Sequence, residues 1–110
     1  MKNQILSLVA LSCALAFTTA QAEGDAEAGK AHYAICAGCH GADGLGLEAT
    51  NGPRLQGQFD WYLISQIENF QSGVRGSDEN DANGSIMRAM ASTLADEQAI
   101  KDVVAYIGTL

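Results

Sequence analysis

The sequence predicts an all-α domain of three to five helices joined by long loops, on three observations. Apolar residues recur at helical spacing in separate stretches, as in Leu63, Ile67 and Phe70 and again in Ile100, Val103, Val104 and Ile107. No stretch alternates apolar and polar residues over enough positions to make a sheet. Between the periodic stretches lie segments rich in Gly, Asn and Asp, whose backbone preferences favour turns.

The first 22 of the 110 residues read as a leader. Met1 and Lys2 give a short positive end, Ile5 to Phe17 is apolar except for Ser7 and Ser12, and Ala20-Gln21-Ala22 is a small-x-small cleavage site. The apolar run is short for a bilayer crossing, and no charged stop follows it, which argues against a retained anchor. A lipoprotein reading of Cys13 suffers from the little apolar chain before it. Cleavage after Ala22 leaves one domain, residues 23–110, and export places it in the periplasm.

Within that domain Asp25 is an N-cap with acidic residues in the turn after it, opening a helix through Ala31, Tyr33 and Ala34 towards Cys36. Residues 41–57 are poor in apolar side chains and read as an irregular loop. A second helix is predicted over Asp60–Ser72, with Gly73 as its C-terminal cap. The polar, acidic segment 74–85 (VRGSDENDANGS) reads as a flexible surface loop, and a last helix covers about 96–107. There is no internal repeat.

All 13 acidic residues fall in 23–110 against five of the six basic ones, a net charge near −8. Phosphate backbones need clustered Lys and Arg, so no nucleic-acid partner is expected. The charge suits partners with basic surfaces, and no stable membrane insertion of the mature domain is predicted. Only seven aromatic residues stand in the whole chain. A domain this small gains from an additional source of buried apolar surface.

The chemistry concentrates in ICAGCH, residues 35–40, with two thiols and an imidazole inside five residues. A dithiol redox site places CxxC at the start of a helix after a strand, whereas here the motif follows a helix. A structural zinc site needs four closed ligands; Cys36, Cys39, His32 and His40 crowd one short segment, and no second Cys or His cluster exists downstream. The third reading is covalent haem attachment, for which C-x-x-C-H is the signature. Two thiols at this spacing add to the two vinyl groups of one porphyrin, and the next residue's imidazole faces the iron. It agrees with an export signal and leaves no spare cysteine in 23–110. A sixth iron ligand follows by elimination. His32 lies four residues before Cys36 on the same helix and cannot reach the opposite face, which leaves Met87 and Met90. His/Met ligation saturates the iron and suits one-electron transfer.

The stretch GDAEAGKAHYAICAGCH, residues 24–40, resembles the N-terminal helix of the class I c-type cytochromes. NGPRLQGQFDWYLISQIENFQSGVRG (51–76) and IMRAMASTLADEQAIKDVVAYIGTL (86–110) are similar to one half of the bacterial periplasmic dihaem cytochromes c. The resemblance covers essentially the whole domain. It implies a small class I cytochrome c fold around one haem c, with Cys36 and Cys39 as thioether anchors and His40 as proximal iron ligand. It further implies Gly29 and Tyr33 packing against Tyr106, the Pro53 carbonyl accepting from His40 Nδ1, and Met87 in preference to Met90 as distal ligand. Gln58, Trp61, Tyr62 and Arg75 are implied as contacts of the haem propionates. Ala95 departs from the family, which usually carries a Ser or similar cap there, and the acidic 74–85 loop does not align with it. The expectation is a periplasmic monohaem electron carrier and not an enzyme, a monomer or weak dimer that meets a redox donor and acceptor of the respiratory chain or another pathway. A ligand-sensing haem protein and a subunit of a larger oxidoreductase are the alternatives.

Overall fold

Asp25 opens the first helix as its spacing requires: its carboxylate accepts from the backbone N–H groups of Glu27 at 2.9 Å and Ala28 at 3.3 Å. The computed structural model describes residues 23–110, so the expected leader at 1–22, with Cys13, lies outside it. Helix α1 spans Ala26–His40, carrying the whole CxxCH motif, and ends at Gly41, whose φ of 83° favours glycine. A 3₁₀ turn at Glu48–Thr50 interrupts the following loop. Then come α2 (Asp60–Ser72), α3 (Ala82–Ala91) and α4 (Glu97–Ile107). The described residues hold one isolated bridge, Leu47 with Gly52, and no longer strand.

α1 crosses α4 at close range because Gly29 has no side chain. A Cβ there would overlap the Asp102 carbonyl and stand 3.0 Å from the Tyr106 Cβ. One turn on, Tyr33 meets Tyr106 with ring centroids 5.3 Å apart and tilted by 51°. The buried Asp102 carboxylate ties the crossing, accepting from the Asp25 N–H and the Gln98 amide, each at 2.8 Å. α2 lays Leu63, Ile67 and Phe70 against Val103, Val104 and Ile107 of α4 to form the core.

Two expectations need correction. The segment 74–85 is not loop throughout, since α3 begins at Ala82 and includes Gly84 and Ser85. Its first turn, Ala-Asn-Gly-Ser, has weak helix propensity, but the Asp81 carboxylate caps it by accepting from Gly84 N–H at 2.8 Å. Nor does Ala95 cost α4 its cap. Asp96 is the N-cap residue, and its carboxylate accepts from the Ala99 N–H at 2.8 Å.

Candidate functional site

A cavity of about 500 Å³ opens between the end of α1, the loop after it, and helices α2, α3 and α4. Its floor is apolar, built from Leu63, Ile67, Phe70, Leu94, Val103 and Ile107. Those are the periodic residues of α2 and α4 together with the turn between α3 and α4, so helix phase alone aims them at one space.

Cys36, Cys39 and His40 all line this cavity from the last turns of α1. Both cysteines are unbridged and half-buried. Burial pushes the Cys36 thiol above its ordinary value, against a weaker opposing hydrogen bond from its own backbone, and the nearby Cys39 adds to the rise. The C-terminal end of a helix also disfavours a thiolate there. Both effects run opposite to what a dithiol redox site needs. Among the described residues no three or more His, Cys, Asp and Glu side chains are grouped to hold a metal ion, so a cage of four such ligands is not assembled.

His40 is only 8% exposed, and its Nδ1 lies 2.7 Å from the Pro53 carbonyl oxygen. A carbonyl only accepts, so Nδ1 carries the proton and donates, which leaves the Nε2 lone pair for a metal. Three contacts hold the surrounding chain. Thr50 Oγ1 donates to the Cys39 carbonyl at 3.0 Å. Gly52 packs so closely on the same carbonyl that a Cβ would overlap it. The buried Tyr33 hydroxyl donates to the Gly41 carbonyl at 2.7 Å, fixing the exit from the motif.

α3 brings both Met87 and Met90 to the cavity, one helical turn apart. They differ in setting. Met87 is partly buried and packs on the core, whereas Met90 is 36% exposed. Gln58, Tyr62 and Arg75 also line the cavity. The Arg75 guanidinium stands 4.4 Å over the Phe70 ring and donates from Nη1 to Gln66 Oε1 at 2.6 Å. Trp61 departs from expectation. It does not line the cavity, is 68% exposed, and stacks on Phe59 at 6.0 Å with an interplanar angle of 15°.

The cavity also takes residues that the sequence reading did not single out, notably Ile35, Thr50, Leu55 and Gln66. Gln66 was within reach, because it stands four residues after Tyr62 on α2 and so shares its face. Ile35 and Thr50 carry no such signal. An apolar cleft holding two adjacent thiols, one imidazole with its lone pair free and two thioether sulfurs fits a large apolar iron cofactor attached through sulfur. Hard cations such as calcium prefer clustered oxygens, which the wall does not offer.

Comparison with known proteins agrees. The family model for cytochrome c matches residues 26–110. Cytochrome c4 of Stutzerimonas stutzeri is 38% identical over 105 residues, covering 93% of this chain and 49% of its own length. Cytochrome c-554(548) of Halomonas halodenitrificans is 42% identical over 83 residues, covering 76% of this chain and 93% of its own. The crystal structure of reduced recombinant cytochrome c4 from Pseudomonas stutzeri is similar with a TM-score of 0.64 at 27% identity, over 81% of this chain and 52% of that one. The chain thus spans about half the length of the cytochromes c4 that it matches.

Proposed function

The chain belongs to the cytochrome c family, and from that membership we propose that it is an exported monohaem electron carrier whose iron is held between His40 and Met87. The fold is that of the class I cytochromes c, and the cofactor is a covalently bound haem c with its iron. When bound, that group supplies a metal that gains and loses single electrons.

The chain's own residues do the rest. Cys36 and Cys39 supply the thioether sulfurs that keep the cofactor in place. His40, its proton held on Nδ1 by the Pro53 carbonyl at 2.7 Å, presents Nε2 in a fixed orientation. Met87 supplies a weak-field sulfur that raises the reduction potential relative to a second histidine. Leu63, Ile67, Phe70 and Leu94 exclude water from the site, and Gln58, Tyr62 and Arg75 supply polar groups for the propionates. Residues 1–22 serve as a cleaved leader that directs residues 23–110 to the periplasm. The partners are redox proteins, one giving and one taking an electron, and the chain itself transforms no substrate.

The observation that supports this reading is the single cavity in which the CxxCH side chains and both methionines meet. The test is a redox-difference spectrum of the purified holoprotein, with Met87→Ala and Met90→Ala beside it. Met87→Ala is expected to abolish the methionine-to-ferric-iron charge-transfer band and to let the reduced protein bind carbon monoxide. Met90→Ala is expected to keep the band. The reverse pattern moves the ligand to Met90, and a wild-type protein that binds carbon monoxide readily overturns the saturated iron.

A further inference from the structure

The methionines sit in the second half of a short helix that is held by packing at its two buried residues, Gly84 against Gly76 and Ala91 in the core, and by few hydrogen bonds. α3 has ten residues, starts with Ala-Asn-Gly-Ser, and is exposed over most of its length. Its end carbonyls are satisfied largely from within. The Arg88 carbonyl accepts from the Ser92 N–H at 3.1 Å and the Ser92 hydroxyl at 2.8 Å. The Met90 carbonyl accepts from the Thr93 N–H at 3.1 Å and the Thr93 hydroxyl at 2.7 Å. At the other end the capping Asp81 is its immediate neighbour in sequence.

One group reaches in from elsewhere. Gln71, in the last turn of α2, donates from Nε2 to the Ala91 carbonyl at 2.9 Å and to the Leu94 carbonyl at 3.0 Å. Among the described residues these are the hydrogen bonds that tie α3 and the turn after it to another helix. Both acceptors are carbonyls, so the amide must face them with its nitrogen, and both of its N–H groups are used. Ala91 and Leu94 are themselves buried residues of the cavity wall.

We propose that Gln71 is a positioning residue for the methionine side of the iron: its amide clamps the end of α3 to α2 and so sets how firmly the methionine stays on the metal. This rests on the His/Met reading above. When the methionine leaves the iron and α3 swings away, the two clamp bonds break with it, so the clamp adds its free energy to the ligated state alone. Losing two ordinary hydrogen bonds corresponds to about a thirtyfold change in that equilibrium.

The test titrates the ferric holoprotein with imidazole, which competes for the methionine's place. It follows the charge-transfer band in wild type, Gln71→Glu and Gln71→Met, with chemical unfolding of each in parallel. Gln71→Glu keeps the shape but turns two donors into acceptors facing carbonyls. Gln71→Met keeps the length and removes the polarity. Both are expected to bind imidazole about thirtyfold more tightly than wild type and to lose the band at lower pH, with haem content unchanged. If Gln71→Glu yields no folded holoprotein, Gln71→Met carries the test. Variants that lose global stability but bind imidazole like wild type overturn the inference, and so do variants that change neither. A wild-type holoprotein with no methionine band removes the ligation reading and the inference with it, whereas a normal band with unresponsive Gln71 variants removes the inference alone.

Discussion

The histidine and methionine sides of the cavity are built by different means. On the histidine side every support is short-range or rigid: Nδ1 on the Pro53 carbonyl, Thr50 on the Cys39 carbonyl, Tyr33 on the Gly41 carbonyl. α1 is in turn locked into α4 at Gly29. On the methionine side a ten-residue helix with a weak first turn packs through Gly84 and Ala91, and its hydrogen bonds to a neighbouring helix come from the amide of Gln71. One wall is preorganised by its own chain, and the other is borrowed from α2. Under the proposed His/Met ligation the methionine is therefore the bond expected to yield first, and substitutions should change ligand exchange on that side and global stability on the other.

Removing the cofactor is the largest perturbation. Leu63, Ile67, Phe70 and Leu94 are core residues that also wall the cavity of about 500 Å³, and without the cofactor that space is left unfilled, with the loss of packing that a large cavity brings. Chain expressed without haem attachment should show no cooperative thermal transition by circular dichroism. A sharp unfolding transition of that chain would mean that the two sides already cohere without the cofactor.

Gly29→Ala attacks the histidine side through its frame. The added methyl meets the backbone carbonyl of Asp102, which has no rotamer to escape into. Overpacking of this kind costs about 3 kcal/mol, against about 1 kcal/mol recovered from helix propensity. Denaturant unfolding of the holoprotein should show a net loss of about 2 kcal/mol, with imidazole affinity unchanged. A change in imidazole affinity without that loss would show that the two sides are coupled through α1.

Much of α1, α2 and α4 was legible in the sequence because their geometry is encoded locally. Asp25 capping α1, Gly73 capping α2 and the 3.6-residue spacing of Ile100, Val103 and Ile107 each determine a helix from neighbours a turn away. The CxxCH spacing is set by the chemistry of attachment rather than by the fold. α3 escaped notice because its first turn disfavours a helix and its cap, Asp81, hides in an acidic run read as loop. Trp61 and Tyr62 are adjacent in sequence, but 100° of helix rotation turns one side chain to solvent and the other to the cavity, a difference that the sequence does not show without the helix phase. Gln71 gives no signal at all, since its acceptors lie 20 and 23 residues further on and only the packed helices bring them together.

A smaller effect follows from the carboxylate at the α1–α4 crossing. The hydrogen bond from the Asp25 N–H, with a second from Gln98, holds Asp102 below the usual carboxylate range, outweighing its desolvation. A depressed folded value means that the stabilisation is fully present above the unfolded value of about 3.9 and is lost as pH falls through the lower folded value. The thermal midpoint of wild type should therefore drop on acidification below about pH 4 more steeply than that of Asp102→Asn, whose amide oxygen still accepts but does not titrate. Parallel acid limbs would show that Asp102 plays no part in holding α1 to α4.

The smallest effect belongs to a residue beside the cavity but on neither wall. Trp61 packs on Phe59 and edge-on to Tyr62, yet it is 68% exposed and its neighbour Tyr62, not Trp61, reaches the cavity. Trp61→Ala should change stability by no more than about 0.5 kcal/mol, as surface substitutions away from caps and cores usually do. The charge-transfer band and the imidazole affinity should stay at their wild-type values. A shifted reduction potential in Trp61→Ala would mean that the aromatic group at the start of α2 helps set the orientation of Tyr62, and that α2 supports the site at both ends rather than through Gln71 alone.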